Sequence, residues 1–155
     1  MFQELLASLP PEIHVLVVAA LPVVELRGAI PLGIHLGLPP AEAALLALAG
    51  NLAPIPLAYF VFLPAVSFLK RTRLFRALVT LYVAGTERRI QRIKRYGFAG
   101  LVLFVAVPLP VTGAWSGCLG ALLLGYSLGQ TMAALSLGTL IAGLIVTTLS
   151  VLALG

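Results

Sequence analysis

The chain has 155 residues, of which 61% are apolar and only 10% charged, with a mean hydropathy of +1.11. A soluble domain carries about 25% charged residues because its surface faces water, so this composition excludes the soluble globular class. The formal net charge is +5. Because the basic residues lie between two apolar regions, they favour a cytoplasmic membrane loop over a nucleic-acid surface. We therefore predict one integral membrane domain over residues 1–155.

The chain divides into two apolar halves around a basic linker. Nine of its ten basic residues lie in the linker, residues 70–97, which the positive-inside rule places in the cytoplasm. Each half, residues 1–69 and residues 98–155, contains two apolar regions. Each region is long enough to cross a bilayer core, which takes about 20 residues.

The first apolar region of each half is interrupted at its centre. The interruptions run from Pro22 to Pro31 and from Pro108 to Gly117, and their prolines disfavour a continuous helix. The apolar stretches on either side would form about 17 to 20 Å of helix, roughly half the thickness of a membrane. We predict that regions 13–38 and 98–126 are re-entrant hairpins of two short helices, with tips buried in protein.

Short matches between the halves indicate an internal repeat. Three segments of the first half recur in the same order in the second: Gly28-Ala29 as Gly113-Ala114, Gly37 as Gly125, and Gly50-Asn51-Leu52 as Gly138-Thr139-Leu140. A hairpin returns to its own side and the next helix crosses, so each half crosses once and the halves are inverted. The expected fold is all-α, with two inverted repeats, each a re-entrant hairpin followed by a transmembrane helix, and with both termini outside. If the interrupted regions instead cross fully, the halves are parallel and the termini lie inside.

The linker is typical of a short amphipathic helix. Thr86 could cap a helix that begins at Glu87 and stops at Gly97, with Ile90 and Ile93 on one face. The other faces carry the basic residues Arg88, Arg89, Arg92, Lys94 and Arg95. We predict that this interfacial helix lies on the cytoplasmic membrane surface and binds anionic lipid headgroups. The alternative is a solvated loop that only sets the topology.

Glu25 and Arg27 lie at the centre of the first interrupted region. A charge at bilayer depth costs about 2.5–3.5 kcal/mol on the insertion scale, so two charges here indicate a function. The forked donors of Arg27 suit a carboxylate or phosphate group. Glu25 could bind a coupling proton or sodium ion and link it to substrate movement. The alternative is an ion pair that only fixes the tip.

The second interrupted region has no charged residue, but it offers Thr112, Trp115 and Ser116. If the two tips face each other across a pseudo-two-fold axis, these side chains complete a midplane binding site. A packing role is the alternative for Trp115.

Further residues could complete the same site. Gly28 and Gly113 would allow close approach of the backbone, and free amides at half-helix N-termini attract anions. Asn51, with Gln130 and Thr139, could add polar contacts from the following helices. Helix-to-helix hydrogen bonding is the alternative for Asn51 and Thr139.

The sequence predicts neither an enzyme nor a cofactor. It has no serine–histidine–acid set and no phosphate-cradling loop. His14 and His35 have no second pair of ligands to make a metal site. Cys118, the one cysteine, lies in an apolar stretch and is interpreted as a packing residue.

The two tips and one later pair resemble the signatures of the putative small multidrug export protein family. The segments are Glu25-Leu-Arg-Gly-Ala-Ile-Pro31, Gly50-Asn51 and Pro108-Leu-Pro-Val-Thr-Gly-Ala-Trp115. The resemblance covers essentially the whole chain and implies export of small molecules. More distantly, the paired hairpins resemble the DedA superfamily, which implies movement of a lipid phosphate carrier by some members. DedA-type second hairpins carry arginines, whereas Pro108–Gly117 has none.

These observations together predict a small secondary transporter in the cytoplasmic membrane of a prokaryote. Its partners would be membrane lipids and a small amphipathic or anionic substrate, with protons or sodium as coupling ions. The alternatives are a DedA-like lipid-phosphate translocase or scramblase, and a membrane scaffold whose basic helix binds lipid or a partner protein. The small size leaves a homodimer open, because four apolar regions are few to enclose a pathway.

Overall fold

The computed structural model describes residues 8–77, 87–109 and 112–155, with the side chains of residues 87–95 outside the described set. Within these ranges the chain forms seven main helices and no strand. In chain order they are α1 (Pro11–Ala20), α2 (Glu25–His35), α3 (Pro40–Leu52), α4 (Ile55–Arg71), α5 (Glu87–Ala106), α6 (Ala114–Leu123) and α7 (Leu128–Leu154). The prediction of an all-helical protein is confirmed.

Two helical segments are long and apolar enough to cross a membrane. One is Pro40–Arg71, with 32 residues, in which α3 and α4 follow each other across a two-residue turn. The other is Leu128–Leu154, with 27 residues. Leu144 and Leu152 of this second segment are 70% and 75% exposed, as expected of side chains that face lipid. Both segments lie where the sequence predicts transmembrane helices.

The first interrupted region forms two short helices, α1 with 10 residues and α2 with 11. Each is therefore about 15 to 17 Å long, roughly half a bilayer core. The interruption itself is narrower than the sequence predicts, because α2 begins at Glu25 and continues through Pro31. A proline within a membrane helix is tolerated where neighbouring groups satisfy the freed carbonyl. Only residues 21–24 lie outside helices here.

Each half has a three-helix core to which a helix of the other half contributes: α7 adds Ala142 to the first core, and α4 adds Ile55 to the second. In the first half, α1, α2 and α3 pack against one another around buried residues such as Ile30. In the second half, α5, α6 and α7 pack around buried residues such as Leu135. The halves meet where α2 and α3 contact α7, and where α4 contacts α6 and α7. Each short helix that follows an interruption is thus packed against helices of both halves.

Matching positions of the two halves have the same local geometry. The helices α2 and α6 both end at a glycine with positive φ, Gly37 at 93° and Gly125 at 78°, a conformation that favours glycine. In each cap the next residue donates its amide to the carbonyl five residues back, over 3.0 Å from Leu38 and 2.9 Å from Tyr126. Both ends are Schellman caps.

Two glycines bring the long helices close to the first helix of their own half. Gly50 of α3 lies against the backbone carbonyl of Leu16 in α1. Gly138 of α7 lies against the carbonyl of Val102 in α5, where a β-carbon would stand 2.9 Å from that oxygen. Small residues at such crossings let membrane helices approach closely. The sequence pairs these same two glycines as repeat equivalents.

The basic linker differs from its prediction at one end. The expected helix stop at Gly97 is wrong, since α5 runs without a break from Glu87 to Ala106. Gly97 instead makes room for Tyr126, whose hydroxyl would stand 2.7 Å from a β-carbon at that position. The proposed cap, Thr86, lies outside the described residues. The absence of a side chain at Gly97 therefore serves packing rather than termination.

Candidate functional site

The backbone turn between α1 and α2 directs Glu25 into the protein. Helix α1 ends where Leu21 becomes extended, and the amide of Glu25 donates to the carbonyl of Leu21 over 3.0 Å. Glu25 itself has a φ of 52°, the one positive φ of a non-glycine residue in the described chain. A residue other than glycine held there stores roughly 1–3 kcal/mol of strain. The side chain of Glu25 is only 5% exposed.

The Glu25 carboxylate lies at the N-terminus of α6. The amide of Trp115 donates to Oε1 of Glu25 over 3.4 Å, and the amide of Ala114 also bonds to the carboxylate. The unpaired amides of a helix N-terminus carry a partial positive charge that a carboxylate neutralises. Gly113 is required here, because a β-carbon at this position would overlap both carboxylate oxygens.

Arg27 reaches the second interruption from two residues further along α2. Its Nη1 donates to the carbonyl of Leu109, and its Nη2 donates to Oγ1 of Thr112 over 3.1 Å. Thr112 also accepts the amide of Leu109 over 3.1 Å and donates to the carbonyl of Val107. The Arg27 side chain and the Thr112 hydroxyl therefore hold the loop before α6 in place.

Both charged side chains thus bond to the other half of the chain rather than to each other. We call the segment 21–27 the first tip and the segment 107–115 the second tip, of which residues 110–111 are not described. The sequence left open a local ion pair between Glu25 and Arg27, and the observed hydrogen bonds differ from that arrangement. The two tips are instead joined by two separate sets of hydrogen bonds.

A cavity of about 400 Å³ lies between the tips, and we call it the tip cavity. Its lining contains six of the predicted site residues: Glu25, Arg27, Thr112, Gly113, Trp115 and Ser116. The other four lining residues were not predicted: Pro22, Val23, Phe62 and Leu119. Phe62 comes from α4 and packs edge-on against the ring of Trp115, with 6.0 Å between ring centroids. An apolar side chain within an apolar helix gives no sequence signal of this role.

Two of the eight predicted site residues, and the two side chains suggested beside Asn51, lie outside the lining of the tip cavity. Gly28 packs against the side chain of Val24, the residue just before α2. Asn51 is fully buried, and neither its Oδ1 nor its Nδ2 has a hydrogen-bond partner in the described structure. Thr139 donates to the carbonyl of Leu135 within α7 over 2.7 Å. Gln130 belongs to the N-terminal cap of α7, where its Oε1 accepts the amide of Ser127.

The far end of α6 is held by the first half as well. Nζ of Lys70 donates to the carbonyl of Leu122 over 2.9 Å, and the hydroxyl of Tyr59 donates to the carbonyl of Tyr126 over 2.8 Å. Helix α6 therefore has a carboxylate at its N-terminus and an ammonium group at its C-terminus, the arrangement that its dipole favours. Sequence reasoning missed Lys70, because a basic residue at the start of the linker resembles any topogenic charge.

The remaining candidate residues add little to this site. Among the residues that the structure describes, no group of three or more histidine, cysteine, aspartate or glutamate side chains could hold a metal ion. Cys118 is a buried free thiol in the core around α6. The five basic residues proposed to bind lipid lie on the first half of α5: Arg88, Arg89, Arg92, Lys94 and Arg95. Their side chains are outside the described set, so the lipid-surface role stays a prediction.

Comparison with known proteins gives one match. The family described as putative small multi-drug export protein matches residues 25–145, well over half of the chain. This range begins at Glu25, so it includes residues 25–27 of the first tip and the whole of the second tip. No curated protein and no solved structure matches the chain. The chain belongs to the putative small multidrug export protein family.

Proposed function

We propose that this membrane protein is a small-molecule exporter of the prokaryotic cytoplasmic membrane, with the tip cavity as its cargo site. One observation carries the proposal. Both charged side chains of the first tip bond to the second tip around a cavity of about 400 Å³. Ligand pockets occupy about 300–1,000 Å³. Charged residues at membrane depth are costly and mark substrate or ion pathways.

The proposed topology is a pair of inverted repeats. Each half would enter the membrane with a re-entrant pair of short helices and then cross once, through Pro40–Arg71 or Leu128–Leu154. The matched Schellman caps at Gly37 and Gly125 support this correspondence. So do the matched close contacts of Gly50 and Gly138. With residues 70–97 cytoplasmic, both termini lie outside.

Alternating access follows from the position of the cavity between the halves. A cavity at a repeat interface can open to one side when the halves rock apart and to the other when they rock back. The bonds of Arg27 to Leu109 and Thr112 are contacts that such a motion would remake. They would close one route to the cavity while the other is open.

Glu25 is the proposed coupling residue. Its carboxylate can carry or release a proton, or bind a sodium ion, and its bonds to the α6 amides depend on its charge. Arg27 is the other ionisable side chain among the residues lining the cavity. A change in the charge of Glu25 therefore alters the attraction between the first tip and α6 during each cycle.

The test is transport by purified protein in liposomes with an imposed pH or sodium gradient. We expect gradient-driven movement of an amphipathic fluorescent cargo by the wild-type protein and by Arg71→Ala, a control that removes an exposed charge at the end of α4. Arg27→Ala should elute as folded protein from a sizing column yet lose transport. Glu25→Gln should lose the response to the gradient.

Two results would overturn the proposal. One is a folded Arg27→Ala protein that transports at the wild-type rate. The other is a protein whose only measurable activity is lipid binding that depends on Arg88–Arg95, since this is the behaviour of a membrane scaffold. Movement of lipid with no gradient requirement would instead identify a scramblase.

A further inference from the structure

The wall of the tip cavity at the start of α6 contains two strong hydrogen-bond donors beside the hydroxyl groups of Thr112 and Ser116. It presents the amide of Trp115 and the guanidinium group of Arg27. The indole Nε1 of Trp115 is buried without a partner in the described structure. Guanidinium and indole N–H groups only donate. A group that satisfies this wall must therefore bring acceptor atoms, and negative charge suits it best.

The protein fills this donor-rich position with a carboxylate of its own. Glu25 supplies the acidic group in the cavity lining, and it is 5% exposed against the α6 amides. It is placed there by a backbone with a φ of 52°, which a residue other than glycine rarely adopts. The bond from the Trp115 amide is long at 3.4 Å. The side chain of Glu25 thus occupies the anion position at the N-terminus of α6, where it is held by a strained backbone turn and a long hydrogen bond.

The rest of the cavity is apolar and partly aromatic. Phe62 and Trp115 meet edge-to-face, and Val23 of the first tip and Leu119 of α6 add further apolar lining. Such a surface suits a compact apolar body, and an aromatic ring fits best beside the two aromatic side chains. The cavity therefore offers an anion position next to an apolar compartment.

We infer that the cargo is an amphipathic carboxylate, which exchanges with the Glu25 side chain at the N-terminus of α6 while its apolar body contacts Phe62 and Trp115. The inference rests on the proposed function and names its substrate class. Arg27 would balance the cargo charge, since three of its five N–H donors remain after the bonds to Leu109 and Thr112. Glu25 and the cargo compete for one position, so only one of them can hold the amides at a time.

If the cargo carboxylate competes with Glu25, substitution of Glu25 has a different effect from substitution at a site where Glu25 itself binds the ligand. Removing the Glu25 carboxylate should strengthen binding of a free carboxylate, because the occupant of the position is gone. A site that uses Glu25 to attract a cation would respond in the opposite way, with weaker cation binding.

Trp115 is the only tryptophan of the chain, so its fluorescence reports directly on the tip cavity. The experiment titrates purified protein in lipid nanodiscs with 4-phenylbutyrate, its neutral amide and 4-phenylbutylamine. The proteins are wild type, Glu25→Gly, Glu25→Gln and the control Glu42→Gln, which neutralises an exposed glutamate of α3. Glycine suits the positive φ of residue 25 and leaves the position empty.

We expect 4-phenylbutyrate to bind Glu25→Gly at least ~10-fold more tightly than wild type, which corresponds to about 1.4 kcal/mol. Glu25→Gln should change in the same direction by less, because its amide oxygen still accepts a bond. Glu42→Gln should match wild type. The amide and the amine should bind all four proteins weakly. If Glu25→Gly does not give a single folded species, the Glu25→Gln titration decides the question.

Equal affinity of 4-phenylbutyrate for folded Glu25 variants and wild type overturns the inference, and so does tighter binding of the amine to wild type. Phenylphosphonate in place of the carboxylate separates a general anion site from a carboxylate site, and tighter binding of the phosphonate would refute the carboxylate class.

Binding needs no gradient, so carboxylate binding without transport refutes the exporter proposal alone. Transport of cations without carboxylate binding refutes this inference alone.

Discussion

The carboxylate of Glu25 lies directly against the α-carbon of Gly113, so that a β-carbon at position 113 would overlap both of its oxygen atoms. The two residues are separated by most of the chain and belong to different halves. Their contact joins the two tips, and it depends on the smallest residue being on one side.

The Gly113→Ala substitution should therefore displace Glu25 from the α6 amides. We expect a loss of about 1–3 kcal/mol of stability, the usual cost of overpacking, and a loss of transport. Thermal unfolding in nanodiscs measures the first effect. The matched control is Gly100→Ala in α5, where a β-carbon would meet nothing within 4 Å. An equal melting temperature for the two variants would contradict the contact.

The Thr112→Val substitution tests the bonds that hold the second tip. Valine has the shape of threonine but cannot bond to Arg27, Leu109 or Val107. We expect a loss of about 1–3 kcal/mol, because Arg27 loses a partner in a partly buried site. Thr148→Val is the control, since that exposed hydroxyl bonds only to the carbonyl of Leu144 in its own helix. Wild-type transport and stability in Thr112→Val would show that Arg27 does not depend on this hydroxyl.

The Lys70→Met substitution tests the second attachment of α6. Methionine keeps the apolar stem but loses the ammonium group that bonds to Leu122. We expect a loss of about 0.3–1 kcal/mol, the usual effect of a cation at a helix C-terminus. Arg71→Met, at an exposed neighbouring position, should be neutral. The two melting curves decide whether Lys70 has a structural role beyond its positive charge.

The glycines that match between the halves should respond alike to substitution. Gly50→Ala and Gly138→Ala both place a methyl group against a backbone carbonyl, of Leu16 and Val102 respectively. A backbone atom cannot move aside as a side chain can, so each variant should lose about 1–3 kcal/mol. If one variant is as stable as wild type and the other is not, the two crossings are not equivalent.

The inverted topology has a direct test. A reporter fused after Gly155 should be active as an external alkaline phosphatase and inactive as a cytoplasmic fluorescent protein. The same pair of reporters placed in the linker, after residue 77, should give the opposite result. A cytoplasmic signal from the fusion after Gly155 would show that the interrupted regions cross the membrane fully.

Composition and apolar length were enough to predict an all-helical membrane protein and the positions of its two long apolar segments. The two tips were also predictable, because prolines and charges in the middle of apolar regions are conspicuous. Six of the eight residues predicted for the site line the tip cavity. The sequence could not reveal partners that are apolar or remote. Phe62 resembles any lipid-facing residue, and nothing near Lys70 indicates that it reaches Leu122.

At three residues, the tertiary structure differs from what the local sequence suggests. Gly97 resembles a helix stop, but the same lack of a side chain also accommodates Tyr126 at a crossing, and here the second role applies. Pro31 suggests a break, yet α2 continues through it. Asn51 resembles a ligand-binding residue because it follows the glycine of a matched segment. It is instead buried away from the tip cavity.

The hydrogen bonds at both ends of α6 determine which helices can move together as one rigid body. Glu25 of the first tip holds one end, and Tyr59 and Lys70 of α4 hold the other. In the second half, α6 packs against α5 and α7 through apolar side chains and small residues. A transport step that leaves the Lys70 and Tyr59 attachments intact would carry α6 with α4 and slide it past α7. The group of helices that moves as one rigid body then differs from the repeated half of the sequence. Spectroscopic labels that report the rocking motion should therefore be placed on α4, α6 and α7 rather than on the two halves.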